Sequence, residues 1–271
     1  MLRKILIPLK LKESFNKISD LADFLTKMGA QDVVLLHIGR SAGVKGRRNR
    51  VLLERYGGSL KEYSFRVRTS LRSGSVRREI LKAAAEKECD SICLSFKKKN
   101  WVEQAIMGSV VKDTIRLSEL PVCVYKKGSE KRDEGMRVLY ASSFSAVDSQ
   151  LLALLAPMRT ELILLHVGRR APDPRAEEER NQKVRRSFEL LAQSLPDTTT
   201  VLDRFSLVGQ AERKIIRTAR KKGVDLILMG KADSRARSGP ILGSTAEMVS
   251  YNAPCSVLII PNPAVQRGAR T

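Results

Sequence analysis

The chain has 271 residues, 42% of them hydrophobic, and 50 Lys and Arg against 29 Asp and Glu give it a formal charge of +21. That length and apolar share suit one large or two ordinary folded domains and exclude a disordered composition. No apolar run approaches the ~20 residues of a membrane span, and Cys89, Cys93, Cys123 and Cys255 form no C-x-x-C pair, which argues against structural zinc or a disulfide framework. The excess of cations attracts polyanions and leaves nucleic acid, an acidic membrane surface, an acidic protein or a nucleotide as partner classes. The apolar part of residues 1–8 is too short for a signal peptide, so a soluble cytoplasmic protein is expected.

In the first half, residues 5–9 read as an apolar strand. Ser14 caps a helix whose Ile18, Leu21, Ala22, Leu25 and Met28 recur at helical spacing, and Gly29 ends it. Residues 33–38 form a second buried strand, and 41–58, basic and glycine-bearing, read as a loop with a short helix at most. A strand over 63–71, a helix over 76–87 and a strand over 91–95 follow. Lys97, Lys98, Lys99 and Trp101 then fall in a loop before a helix over 109–117 and a strand over 121–125. The charged stretch 126–135 has no apolar residue and reads as a linker. In the second half the expected elements are a strand over 138–141, a helix over 148–158 and a strand over 162–167. A basic loop over 169–175, a helix over 176–195, a strand over 198–206 and a helix over 211–222 come next. The unbroken apolar run Leu226 to Met229 suits a strand covered on both faces, ended by Gly230 where the backbone bends or approaches a ligand. A basic loop leads to Gly243-Ser244, and Ser244 or Thr245 caps a helix over 246–251 with Ser244-x-x-Glu247 as a capping box. Residues 256–260 form the last strand, and the tail beyond Pro261 is expected to be loose.

The two halves are copies. Gly74, Ile80, Ala84, Asp90 and Gly108-Ser109 match Gly209, Ile215, Ala219, Asp225 and Gly243-Ser244, each pair 135 positions apart. Lys4-Ile5-Leu6 matches Arg137-Val138-Leu139, and Leu35 to Arg40 matches Leu164 to Arg169. Collinear blocks at nearly one offset mark a duplication. Strands alternating with helices in each copy argue for a parallel, doubly wound sheet.

Gly230, two residues, Asp233, nine residues and Gly243-Ser244, followed by Ala246-Glu247 and by Asn252-Ala253-Pro254-Cys255 before the last strand, resemble the nucleotide signature of the universal stress protein family. In that pattern a second glycine stands where this chain has Asp233. The resemblance implies two tandem Rossmann-like domains of the adenine nucleotide alpha hydrolase-like kind, each a parallel five-stranded sheet with helices on both faces, over 1–127 and 136–263. It implies ATP or AMP as ligand of the second domain, at Ser143, Val167, Gly230, Lys231, Arg235, Gly243, Ser244 and Thr245. It implies none in the first, where Ser95 and Lys98 replace both early glycines of the loop. The aspartate with which the family usually ends its first strand is absent from both copies, as Lys10 and Ser143. Family members pair through their final strands, so an intrachain pseudo-dimer through 121–125 and 255–260 is expected, with a homodimer and an unidentified protein partner as further associations.

The helix start at Gly243-Ser244 fits an anion for a physical reason as well: free N–H groups and the helix dipole both favour negative charge there. His37 and His166 end the second strand of each copy. No Ser-His-Asp set, carboxylate pair or metal motif nominates a catalytic residue. The reading is a stress-response regulatory module. The alternatives are a nucleic-acid or acidic-surface binder, which no DNA-binding motif supports and which 5% aromatic residues disfavour, and a weak ATPase.

Overall fold

The computed structural model describes residues 2–40, 42–95, 101–127, 135–145, 148–231 and 245–261, with backbone alone at 101–108 and 149–150. The chain divides into two units, Met1–Lys127 and Gly128–Thr271. The first runs β1 (Lys4–Leu9), α1 (Phe15–Lys27), β2 (Asp32–Ile38), α2 (Gly43–Gly58), β3 (Arg66–Arg72), α3 (Val76–Glu86), β4 (Ser91–Ser95), α4 (Trp101–Leu117) and β5 (Val122–Tyr125). The second runs β6 (Met136–Ser142), α5 (Asp148–Leu152) with a 3-10 turn Ala153–Leu155, β7 (Thr160–Gly168), α6 (Pro174–Gln193), β8 (Thr199–Val208), α7 (Ala211–Lys222), β9 (Leu226–Gly230), α8 (Thr245–Asn252) and β10 (Ser256–Ile260).

The strands of the first unit lie in the order β3-β2-β1-β4-β5 and those of the second in the order β8-β7-β6-β9-β10. Pairing within each unit is parallel. Leu226 to Met229 and all of β10 are buried, as are Ile5, Leu6 and Ile7. Runs without an exposed alternate are what a sheet covered on both faces requires. In each unit the chain winds outward from its first strand to one edge and then returns to the other side. The reversal lies between β1 and β4, and between β6 and β9, which is where an open parallel sheet leaves a crevice at the strand carboxyl ends.

Backbone detail reproduces the duplication. Gly74 and Gly209 take φ of +130° and +126°, a region that side chains rarely enter. Leu11 and Phe144, 133 positions apart and just past the end of the first strand of each unit, are both left-handed at φ 58° and 53°. Asp90 Oδ2 accepts from the amides of Arg3 and Lys4, and Asp225 Oδ2 from the amide of Arg137. The matched aspartates therefore clamp the start of the first strand of each unit rather than belonging to a site. Ile80, Ala84, Ile215 and Ala219 are buried on their helices.

Two expectations are corrected. Residues 43–58 are a full helix, α2, and not a loop: Leu53, Tyr56 and Gly57 bury one stripe that five cations around it obscure in the sequence. α4 begins at Trp101, not at Ser109, so Trp101 is not in a loop and Gly108-Ser109 lies inside a helix. Smaller differences are that α6 starts at Pro174, with Asp173 accepting from the amide of Ala176 as its N-cap, and that α5 gives way to a 3-10 turn. Lys97, Lys98 and Lys99, most of the linker and the tail beyond Pro261 lie outside the described residues. The four cysteines are buried thiols, not joined in disulfides. Among the described residues no group of side chains is placed to hold a metal ion, and no helix is long and apolar enough to cross a membrane.

Candidate functional site

At the carboxyl end of the second unit's sheet, over the β6/β9 reversal, lies a cleft of about 380 Å³. Its lining brings together ends that the sequence separates: Ser142, Ser143 and Ser145 at and just past the end of β6, His166 and Val167 on β7, Gly230 and Lys231 at and just past the end of β9, and Thr245 at the start of α8. Ser143, Val167, Gly230, Lys231 and Thr245 of the expected site thus border one cleft. Arg235, Gly243 and Ser244 lie outside the described residues, as does Asp233.

The walls are built by hydrogen bonds that the sequence reading did not assign. Asp148, buried at the start of α5, receives the Ser142 hydroxyl on Oδ2 and, on Oδ1, the Ser145 hydroxyl at 2.6 Å and the Ser145 amide at 3.1 Å. The Ser142 hydroxyl in turn accepts from the Phe144 amide at 2.9 Å. This network folds the chain back sharply after β6 and sets Phe144 in its left-handed conformation. The spacing Ser145-x-x-Asp148, a hydroxyl residue three before a carboxylate at a helix start, was the available signal. Burial, and then the Asp148 carboxylate, push the Tyr140 phenol well above its ordinary range, so that hydroxyl stays protonated behind the cleft.

His166 is fixed by the same turn. Its Nδ1 lies 3.1 Å from the Ser142 carbonyl oxygen, a contact that requires Nδ1–H as donor, and its ring stacks on Phe144 at 4.5 Å. Phe144 meets Phe188 edge-on at 5.2 Å. His37 repeats the arrangement in the first unit, with Nδ1 2.9 Å from the Leu9 carbonyl oxygen. Both histidines therefore tie the second strand to the end of the first. Gly230 is the last residue of β9, in register with Ile260, and is not in the left-handed region. A Cβ there would meet only Leu151 Cδ1, at an ordinary 3.6 Å. The bend expected at Gly230 is thus not what the position requires, and what the glycine leaves is space. The Lys231 amide donates to the Ile260 carbonyl at 2.7 Å, which sets the start of the loop against β10.

Among the described residues no carboxylate lines the cleft, and those residues offer serine and threonine hydroxyls, one imidazole, one ammonium and an apolar wall of Leu165, Ile215, Met229 and Ile260. The corresponding place in the first unit differs. Glu13 Oε1 and Oε2 accept from the amides of Lys10 and Lys12 at the end of β1, and α4 has already begun before Gly108. A glycine inside a helix presents no free N–H groups to an anion.

A family model described as Universal stress protein family matches residues 1–126 and again 137–261. No curated protein matches the chain in sequence. Among solved structures, a universal stress protein from Archaeoglobus fulgidus DSM 4304 is 21% identical, covers 97% of each chain and has a TM-score of 0.73. A protein of unknown function from Pseudomonas aeruginosa PAO1 is 17% identical over 98% of this chain and 95% of that one, with a TM-score of 0.70. A universal stress protein in complex with cAMP is 20% identical over 48% of this chain and 98% of that one, with a TM-score of 0.37. At these identities the solved structures establish the fold, whereas the family model accounts for nearly all of the sequence in two successive copies. The chain belongs to the universal stress protein family, as a tandem member with two such domains.

Proposed function

We propose that the protein is a regulatory module whose second domain, over 136–263, holds ATP or AMP and whose first, over 1–127, holds no nucleotide. The observation that carries this reading is the cleft over the β6/β9 reversal, of a size common for small-ligand sites and lined, among the described residues, by hydroxyls and Lys231 with no carboxylate. The apolar wall suits a base, the hydroxyls of Ser143 and Ser145 suit a ribose, and Lys231 with the start of α8 suits phosphate. Arg235, Gly243 and Ser244 belong to the same proposal through the sequence pattern. The helical setting of Gly108-Ser109 and the Glu13 carboxylate at the end of β1 support an empty first domain.

The test is calorimetric titration of ATP and AMP into the full chain, alongside mass spectrometry of ligand released from protein purified without added nucleotide. Ser143 is exposed, so Ser143→Trp fills the cleft without disturbing the core, and it is expected to abolish binding. Lys231→Ala is expected to weaken ATP roughly tenfold, and AMP less, because one charge-assisted contact is lost. Binding unchanged in both variants would refute the placement. An empty protein that also fails to take up either nucleotide would refute the reading itself.

A further inference from the structure

The two units carry the same groove, between the edge strand and the helix that follows it, and fill it in opposite ways. In the first, Arg72 at the end of β3 pairs with Glu79 at 3.3 Å and with Glu86, both on α3, and Lys82 reaches Glu86 at 3.8 Å. In the second, the positions 135 further on are Leu207, Lys214 and Lys221. The contacts of the repeated glycines fix the equivalence independently. A Cβ on Gly74 would meet Glu79 Cγ at 3.4 Å, and one on Gly209 would meet Lys214 Cε at the same 3.4 Å. Two glutamates neutralised by Arg72 and Lys82 have thus become two lysines, with Leu207 and Arg217 at the positions of those cations.

The result is a groove of about 260 Å³ with Phe205 and Leu207 of β8 as its floor and Lys214, Arg217, Lys221 and Lys222 of α7 as its wall. Lys214, Arg217 and Lys221 follow helical spacing along one stripe. Lys222 is paired with Asp203 at 2.8 Å and lies 5.1 Å over the Phe205 ring. Lys214, Arg217 and Lys221 have no acidic partner among the described residues. Among the described residues β8 is the last strand of its unit's sheet and pairs with β7 alone, so its other row of amides and carbonyls lies beside this groove.

We infer that this groove binds an acidic, extended peptide segment, which adds as a strand to β8 and turns one face of that strand to the groove, where apolar side chains rest on Phe205 and Leu207 and carboxylates on the same face meet Lys214, Arg217 and Lys221. Three features favour a peptide over a nucleic acid. The edge strand offers main-chain hydrogen bonds that a peptide returns and a phosphate backbone does not. The floor is apolar. The cations form a short stripe beside that edge and not a broad field. An edge strand lined by lysines is also protected against pairing with further copies of itself, while an acidic strand is selected.

The experiment titrates the full chain into a short fluorescein-labelled peptide with Leu and Glu in turn at every second position and Thr between them, so that both share one face of a strand, and reads anisotropy at low and at physiological ionic strength. Lys214→Glu with Lys221→Glu is expected to weaken binding at least roughly tenfold, because attraction becomes repulsion at two sites. Arg47→Glu with Arg48→Glu on α2, an equal change of charge elsewhere, is expected to leave binding within about twofold at physiological salt, where distant charges are screened. A probe of the same composition with every peptide nitrogen methylated has no N–H group on either edge to donate to β8 and is expected not to bind. Adding Leu207→Arg to the two lysine reversals rebuilds the first unit's ion cluster. That triple variant is expected to melt no lower than the parent chain by circular dichroism and still not to bind. The proposal is overturned if the chain does not bind the peptide, if both charge-reversed pairs weaken it equally, or if the methylated probe binds as well as the parent. It is also overturned if duplex DNA displaces the peptide from the groove and is held through Lys214 and Lys221, which would assign the surface to nucleic acid.

Discussion

α2 and α6 occupy the same place in the two units and distribute charge differently. α2 carries Lys45, Arg47, Arg48, Arg50 and Arg55 against a single Glu54, whereas α6 sets Glu177, Glu178, Glu179 and Glu189 among its cations and pairs Arg175 with Glu179 and Arg180 with Glu177. One helix further on, the contrast reverses: on α3, Glu79 and Glu86 pair with Arg72, whereas on α7, Lys214 and Lys221 have no acidic partner among the described residues and only Lys222 is paired. The excess of positive charge is therefore not a uniform coating. Each unit satisfies its cations in one place and leaves them unsatisfied in another, and a duplicated scaffold lets a position serve internal stability in one copy and recognition in the other. Surface ion pairs each contribute only about 0–1 kcal/mol, so such an exchange costs the fold little.

The largest effect that separates the units is expected at the turn after the first strand. Asp148→Ala strands the buried Ser142 hydroxyl and leaves the Ser145 hydroxyl and amide to solvent, and is expected to destabilise the second unit by about 2 kcal/mol, while Glu13→Ala, on a more open loop, is expected to cost the first about 1 kcal/mol. Hydrogen exchange followed separately over the two units measures both, and equal losses would end the distinction drawn between a braced and an unbraced crevice.

Gly74→Ala and Gly209→Ala are expected to give matching losses, about 1–3 kcal/mol each, because both force a Cβ into the same disfavoured backbone region. Thermal melting of the two variants tests it, and a clear inequality would show that the repeated geometry is not equally required.

The smallest effect is a pH dependence confined to the first unit. Glu86 is held below the ordinary carboxyl range chiefly by its hydrogen bond to Arg72. A carboxylate with a lowered folded-state pKa stabilises above its unfolded value of about 4.3, and that contribution is lost as the pH falls through the folded-state value. Acidification is thus expected to reduce exchange protection in α3 before α7, where lysines stand at the matching positions. The first unit retaining α3 protection while α7 loses it would contradict the assignment of that ion cluster.

The fold was legible because strand and helix periodicities alternate cleanly and because a duplicated chain supplies its own second reading. α2 escaped because the apolar stripe of Leu53 and Tyr56 is short and the cations around it carry the composition of a loop. The early start of α4 was hidden by Gly108-Ser109, a pair that reads as a helix opening and here lies within one. At the crevice, the spacing pointed to strand ends and to Thr245, but the Ser142, Ser145 and Asp148 network depends on a left-handed turn at Phe144 that a bulky residue does not announce. The ion cluster of α3 and its loss in α7 became visible only when β3 was seen to extend to Arg72.

The aspartate clamp at the head of each sheet has a consequence during synthesis. Asp90 meets the amide of Arg3 across 87 residues, and Asp225 meets that of Arg137 across 88. A nascent chain leaving the ribosome can lay β2 beside β1 and β3 beside β2 early, yet one flank of that central strand stays bare until β4 is translated. A bare flank of this kind is a template for unwanted pairing, and contacts of long separation close slowly. Duplication therefore imposes two such vulnerable intervals on every molecule made, the second beginning as soon as the first has closed.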